Sequence, residues 1–259
     1  MSATTATQVG QLARRSLVRT FRQPSYIVPA LVFPLLLLAV NTAGLGSATR
    51  LPGFPADSYL DFALGFAFMQ GALFTTSNAG TDLARDIETG FLNRLTLTPL
   101  RGSALLTGHL TGAVSMGVIQ SLVYLTVGLL LGVRLASGVA GGVVLILLAV
   151  LISIGFASIG AALALRTGSG EAIQASFPLF FGLLFLSSMS MPRNLMDVSW
   201  FRTIATYNPV SYLIEGLRSL IITGWDLKAL ALGFSIALAI AIGGLAWSAI
   251  ALRGRLSRA

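Results

Sequence analysis

The chain has 259 residues, of which 55% are hydrophobic and 10% charged, with a mean hydropathy of +0.84. That is too apolar for a soluble globular domain and marks an integral membrane protein. The net charge of +8 does not describe a nucleic-acid surface, because the 17 lysines and arginines punctuate apolar runs instead of clustering on one soluble face, and the absence of cysteine excludes disulfides and thiolate metal sites.

Residues 1–7 are rich in Ser, Thr and Ala and are expected to be disordered. An amphipathic helix is predicted over 8–22, with Val9, Leu12, Ala13, Leu17 and Phe21 on one side, Arg15, Arg19 and Arg22 on the other, and Pro24 as its stop. It would lie in the membrane interface with its arginines toward anionic headgroups or a partner. The first apolar run is longer than a signal-peptide core and ends in no convincing cleavage site, so the N-terminus is expected to be retained.

Uncharged runs follow at 23–49, 62–81, 102–133, 135–165, 172–192 and 229–252, each long enough to cross a bilayer as a helix. The expected fold is therefore an all-α integral membrane protein with six transmembrane helices, at about 27–46, 62–81, 107–131, 142–165, 172–192 and 229–252, in one domain over 1–259. Pro29 and Pro34 would kink the first span, and a hairpin is expected to turn near 134–142. With the N-terminus inside, 11 of the Lys/Arg residues (Arg14, Arg15, Arg19, Arg22, Arg85, Arg94, Arg101, Arg166, Arg253, Arg255 and Arg258) fall inside and 6 outside. Both termini should thus be cytoplasmic.

Residues 82–101 are too charged to lie in hydrocarbon and are expected to stand in water beside the membrane. Leu83, Ile87 and Phe91 recur at i, i+4 and i+8 as one apolar ridge, flanked by Asp82, Arg85, Asp86 and Glu88. Gly90 allows a bend, and Thr98-Pro99 reads as the N-cap and first position of a restarted helix. Such an elbow, with Phe91, Leu92, Leu95 and Leu97 exposed, could dock a partner and pass its motion to two spans. Glu88 is the residue expected to bond across to that partner or to the N-terminal helix.

Between the fifth and sixth spans, Asn208 is read as an N-cap and Pro209 as the first helical position of a short helix. Val210, Leu213, Ile214, Leu217, Leu220 and Ile221 form its apolar stripe. The helix is too short to span, so a re-entrant or interfacial placement at the outer face is expected. Trp200, Tyr207, Tyr212 and Trp225 would then sit at headgroup level, and Glu215 would pair with Arg218.

Catalytic groupings are missing. Lys228 is the only lysine and lies outside any phosphate-loop pattern, and His109 is the only histidine. The spans hold amides and hydroxyls (Asn41, Gln70, Asn78, Gln120, Gln174) but no carboxylate at a plausible midplane, which argues against an ion-coupled carrier. The Gly128/Gly132 and Gly138/Gly142 spacings suit close helix packing. The aromatic- and Met-rich run 177–191 could line an adaptable path or simply face lipid.

The pattern E-x-G-x-x-x-x-L-x-x-T-P, here Glu88, Gly90, Leu95, Thr98 and Pro99, together with Asn208-Pro209-Val210-Ser211-Tyr212 and the order of apolar runs, resembles the ABC-2 type permeases, the membrane subunits of exporters of the daunorubicin-resistance kind. The resemblance implies a plasma-membrane permease that dimerises with a second permease subunit and exports a lipophilic or amphipathic compound. It would have no cofactor of its own, ATP and Mg being held by separate ATPase subunits. Asp82, Arg85, Asp86, Ile87, Glu88, Gly90, Phe91, Leu95, Thr98 and Pro99 would touch the ATPase, and Asn208, Pro209, Tyr212, Glu215 and Arg218 would belong to a helix capping the path. A permease for lipid-linked or polysaccharide substrates is the nearest alternative, followed by an ion-coupled carrier and a membrane enzyme or scaffold.

Overall fold

The computed structural model describes residues 3–96 and 102–257, and among these every regular element is a helix. In chain order they are α1 (Ala3–Phe21), α2 (Pro24–Leu45), α3 (Tyr59–Glu88), α4 (Phe91–Thr96), α5 (Gly102–Leu130), α6 (Gly138–Thr167), α7 (Gly170–Phe185), α8 (Ser199–Tyr207), α9 (Pro209–Ile222) and α10 (Leu227–Leu256). Helix α1 already includes residues expected to be disordered, from Ala3 on; Met1 and Ser2 lie outside the described residues.

Four of these helices are long and apolar enough to cross a membrane: α2 with its continuation to Arg50, α5, α6 and α10. The other two expected spans differ. Helix α3 has the length, 30 residues, but Gln70, Thr75, Thr76, Ser77 and Asn78 lower its hydropathy. It is instead, with α9, among the most enclosed helices of the bundle: Gln70, Thr75 and Thr76 are buried, while Ser77 and Asn78 are half-buried. Helix α7 has only 16 residues, and the rest of the expected 172–192 span is turn. Pro29 and Pro34 lie inside α2, which runs through both.

Close approach of backbones organises the bundle. A Cβ on Gly160 would lie 2.1 Å from the Thr76 carbonyl oxygen, and one on Gly80 would lie 3.0 Å from the Gly160 carbonyl oxygen. Helices α3 and α6 therefore meet without side chains between them, as small residues permit in membrane bundles. The α5–α6 hairpin turns at 131–137, slightly earlier than expected. Of the glycines predicted there for packing, Gly128 does sit against Leu64, whereas Gly132 and Gly138 hold positive φ in the turn.

Two main apolar clusters result, besides a minor one of Ala79, Leu110, Ala113 and Ala157. The larger gathers α3, α6, α9 and α10 around Phe62, Phe66, Leu148, Leu213 and Leu217. The smaller closes the end where α3, α6 and α10 finish, with Leu83, Ile87, Leu92, Leu105, Leu165 and Leu252.

Candidate functional site

Helix α1 packs along α5 because its Leu12, Ser16 and Thr20 oppose Gly108 and Gly112, where there is no room for a side chain. The Ser16 hydroxyl donates to the His109 carbonyl at 2.9 Å and accepts from the Gly112 amide at 3.2 Å. That seating turns the next face of α1 toward α3. Arg15 donates from both terminal nitrogens to the two Asp86 oxygens, each at 2.8 Å. Arg19 reaches Asp86 at 2.8 Å and Asp82 at 3.1 Å. The Arg15 guanidinium also lies 3.9 Å above the Phe91 ring, within cation–π range.

Two guanidinium groups thus face two carboxylates at one helix end. Burial alone would push the Asp86 carboxyl up, but the hydrogen bonds from Arg15 and the Arg15 and Arg19 charges together hold it below its ordinary value. The hydrogen bond to Asp86 also lifts Arg15 above its ordinary value. At Asp82 burial dominates and pushes the carboxyl up in spite of Arg19. Arg22, the third arginine expected on this face, is exposed. Arg15 and Arg19 are therefore engaged by this chain's own acids, not turned toward headgroups.

The elbow also differs from expectation. Helix α3 runs unbroken to Glu88, and the chain bends at Thr89–Gly90, where Gly90 adopts a φ of +69°. The predicted apolar ridge is not displayed: Leu83 and Ile87 are buried in the smaller cluster, Leu92 is 2% exposed, and Phe91 is half-buried beneath Arg15. Among the described residues Glu88 makes no bond to α1. Its carboxylate accepts the Gly170 amide at 2.9 Å, placing a negative charge at the start of α7, where the helix dipole favours it. Arg255 donates to the Leu165 carbonyl at 3.0 Å, so the α6–α7 turn is held from α3 and from α10. Arg85, Thr89 and Arg94 are exposed, as is Arg14 on α1. Leu95 belongs to α4, though its side chain, like Leu97, Thr98 and Pro99 altogether, lies outside the described residues.

At the other end of the bundle, Asn208 caps α9 as expected, its Oδ1 accepting the Val210 amide at 2.9 Å with Pro209 following. The helix itself is a core element. Arg218 is 6% exposed, stacked 3.4 Å over the Phe62 ring, and donates to the carbonyls of Phe62, Ser188 and Met189. It does not pair with Glu215, which instead takes Arg193 at 2.5 Å and the Ser188 hydroxyl at 2.9 Å. Tyr212 donates to the Thr206 carbonyl at 2.8 Å under the Arg193 guanidinium. Three aromatic side chains of this region are exposed: Trp200 and Tyr207, which belong to α8, an additional short helix, and Trp225 just before α10. An open cleft of about 400 Å³ lies between Pro55, Phe62, Arg193, Glu215 and Arg218.

The inward turn of Asp82 and Asp86 was missed although a signal exists: Asp82/Asp86 and Arg15/Arg19 each share the i, i+4 spacing, so two pairs can stack across adjacent helices. Arg218 offers a similar clue, four residues after the stripe residue Ile214.

Between α2, α3 and α7 a groove of about 240 Å³ is lined by Tyr26, Ser77, Asn78 and Gln174. Phe74 and Phe177, which also line it, begin an aromatic ladder that continues through Phe33, Phe181 and Phe185.

Residues 7–222 match the family model described as ABC-2 type transporter. Three curated proteins are similar over most of their length, each carrying the name "Putative transport permease ycf38". That of Cyanophora paradoxa is 32% identical over 215 residues, 81% of this chain and 72% of the relative. That of Porphyra purpurea is 26% identical over 214 residues, 82% and 72% of the two chains. That of Pyropia yezoensis is 27% identical over 217 residues, 82% and 73%.

Proposed function

Since the chain belongs to the ABC-2 type transporter family, we propose that it is the membrane subunit of an ATP-driven exporter whose ATPase is a separate chain. Six crossings carry it through the plasma membrane: α2, α3, α5, α6, α7 with the turn after it, and α10. Both termini are cytoplasmic, with α1 at the inner interface. A second permease subunit completes the assembly. This chain has no catalytic task; ATP and Mg belong to the partner.

The observation that carries the reading is the ion-paired junction of α1 with α3. A loop that only links two spans has no need of two guanidinium groups spent on one carboxylate, whereas a joint that must pass force without slipping does. The junction makes α1, the last turns of α3 and the Gly90 bend one rigid block. A push delivered at that block reaches α3 directly, and Glu88 passes it to the start of α7. Since Asp82, Asp86 and Glu88 are engaged within the chain, the ATPase meets the exposed Arg14, Arg85 and Arg94 with the edge of Phe91. The phenylalanine ladder above a polar groove suits a lipophilic or amphipathic cargo.

The test is co-expression with a cognate ABC ATPase, followed by pull-down and substrate-stimulated hydrolysis in vesicles. Arg85→Ala and Phe91→Ala should insert normally yet weaken capture of the ATPase, because truncation inside a docked surface costs more than truncation in solvent. Capture and hydrolysis unchanged in both variants would refute the docking.

A further inference from the structure

The aromatic ladder hides a polar group without a partner. Gln70 of α3 is 0% exposed, and among the described residues neither its amide oxygen nor its amide nitrogen has a hydrogen-bond partner. It stands one turn before Phe74 on the same face of α3, and Phe74 packs on Phe33 of α2 and Phe177 of α7. By helical rise Gln70 lies about 6 Å further along, level with Phe181. Three turns back on that face, the Thr81 hydroxyl is likewise buried and unpartnered, beside Gly170 at the start of α7. Buried polar groups are ordinarily satisfied, and at membrane depth water is not there to replace a missing partner.

The helix covering this face is loosely held. Of the 16 residues of α7 only Ile173 and Leu184 are buried, and Pro178 interrupts its backbone hydrogen bonding. Its ends, by contrast, are pinned: the Gly170 amide to Glu88, and the Leu183 and Leu186 carbonyls to the Asn208 amide. A helix fixed at its ends and free in the middle can part from α3 along the ladder. The groups uncovered there are phenylalanine rings and one carboxamide that donates and accepts side by side.

We propose that the face of α3 from Thr81 to Gln70 is a cargo-binding track closed over by α7, and that Gln70 is its recognition point for a flat, largely apolar compound bearing a hydrogen-bond donor and acceptor next to each other. The inference rests on the exporter reading and names its cargo more closely. Rings would lie against Phe177 and Phe181, and a carboxamide-like group would form two hydrogen bonds with Gln70.

The probes are anthracene-2-carboxamide and its methyl ester, which keeps the acceptor and loses the donors. Their binding to the full chain in nanodiscs is read by anthracene fluorescence against empty discs, without nucleotide or ATPase. The wild type should bind the amide at least tenfold more tightly than the ester, since a site built to hydrogen-bond rejects an analogue lacking the group. Gln70→Leu should erase that preference and unfold at a higher temperature because its orphaned amide is gone. No saturable binding, equal binding of both probes to the wild type, a preference that survives Gln70→Leu, or a lower unfolding temperature in that variant would each overturn the proposal. A chain that binds the amide through Gln70 but never couples to an ATPase would sink the exporter reading alone. Coupling without the Gln70 preference would sink this inference alone.

Discussion

Asp86→Asn tests the junction at its most loaded atom pair. The substitution keeps the size of the side chain and removes the charge that accepts three N–H groups at 2.8 Å, two from Arg15 and one from Arg19. Hydrogen bonds to charged groups are worth about 1.5–3 kcal/mol each, but they are not additive here. Asparagine keeps one accepting oxygen, Arg19 keeps Asp82, and the Arg15 side chain is 42% exposed, so water replaces part of what is lost. A net cost of about 2–3 kcal/mol to α1 docking follows, or a factor of roughly 30–150 in its opening equilibrium. Amide hydrogen exchange in nanodiscs reads this directly: α1 amides should exchange faster by that factor while those of α3 near Gly71 stay protected. Acid adds a sign. Asp86 is held below 3.8, so its contribution is whole above that value and disappears only as pH falls through its lower folded value. Asp82, raised by burial, favours the fold as it takes up a proton, so mild acidification should hold or improve α1 protection before stronger acid destroys it. Unchanged α1 exchange in Asp86→Asn, together with no coupling between Arg15→Ala and Asp86→Ala in a double-mutant cycle, would refute the junction.

Arg218→Ala should lower stability by about 3–5 kcal/mol, because three buried carbonyls lose their donor; Glu215→Ala, at a half-buried pair, should cost about 1 kcal/mol, and equal thermal shifts for the two would contradict the burial argument. Gly160→Ala should fail to yield folded protein in size-exclusion chromatography, since its Cβ would meet the Thr76 carbonyl at 2.1 Å, and normal behaviour would mean that α3 and α6 do not touch there. In this cysteine-free chain, cysteines at Ser58 and Ser199 should react with an impermeant thiol reagent from outside, and those at Ser103 and Ser257 only after permeabilisation; outside labelling at Ser103 overturns the orientation.

What could be read in the amino acids was local. Apolar runs marked the helices, Asn208-Pro209 marked the start of α9, and Gly90 marked the bend, because capping and positive φ depend on a few adjacent residues. Which neighbour a face would take was not readable. The ridge Leu83–Ile87 looks equally apt for a partner's groove or for α5 and α6, and only assembly of distant elements decides that it is internal. Arg218 looked like a surface charge because its satisfaction comes from backbone carbonyls at Phe62, Ser188 and Met189, far away in the chain and silent in composition. The same limit applies to the α7 region: hydropathy continued past Phe185, but the helix ends there in a turn that Asn208 and Arg218 anchor.

The backbone-to-backbone meeting of α3 with α6 gives the long helix a fulcrum. Nothing compressible lies between Thr76, Gly80 and Gly160, so α3 can tilt about that point more readily than it can slide past it. The arm from Gly80 to Glu88 spans 8 residues, about 12 Å at 1.5 Å per residue, and the arm back to Tyr59 spans 21, about 32 Å. A displacement of 1 Å at the Gly90 end therefore becomes roughly 2.6 Å, in the opposite direction, at Tyr59. There the Tyr59 hydroxyl holds the Ser190 carbonyl at 2.9 Å, at the edge of the Arg218 network. Spin labels at Ser58 and Thr89, each paired with a reference label on α6, would register the two ends moving oppositely and unequally, and a uniform shift of both would remove the pivot.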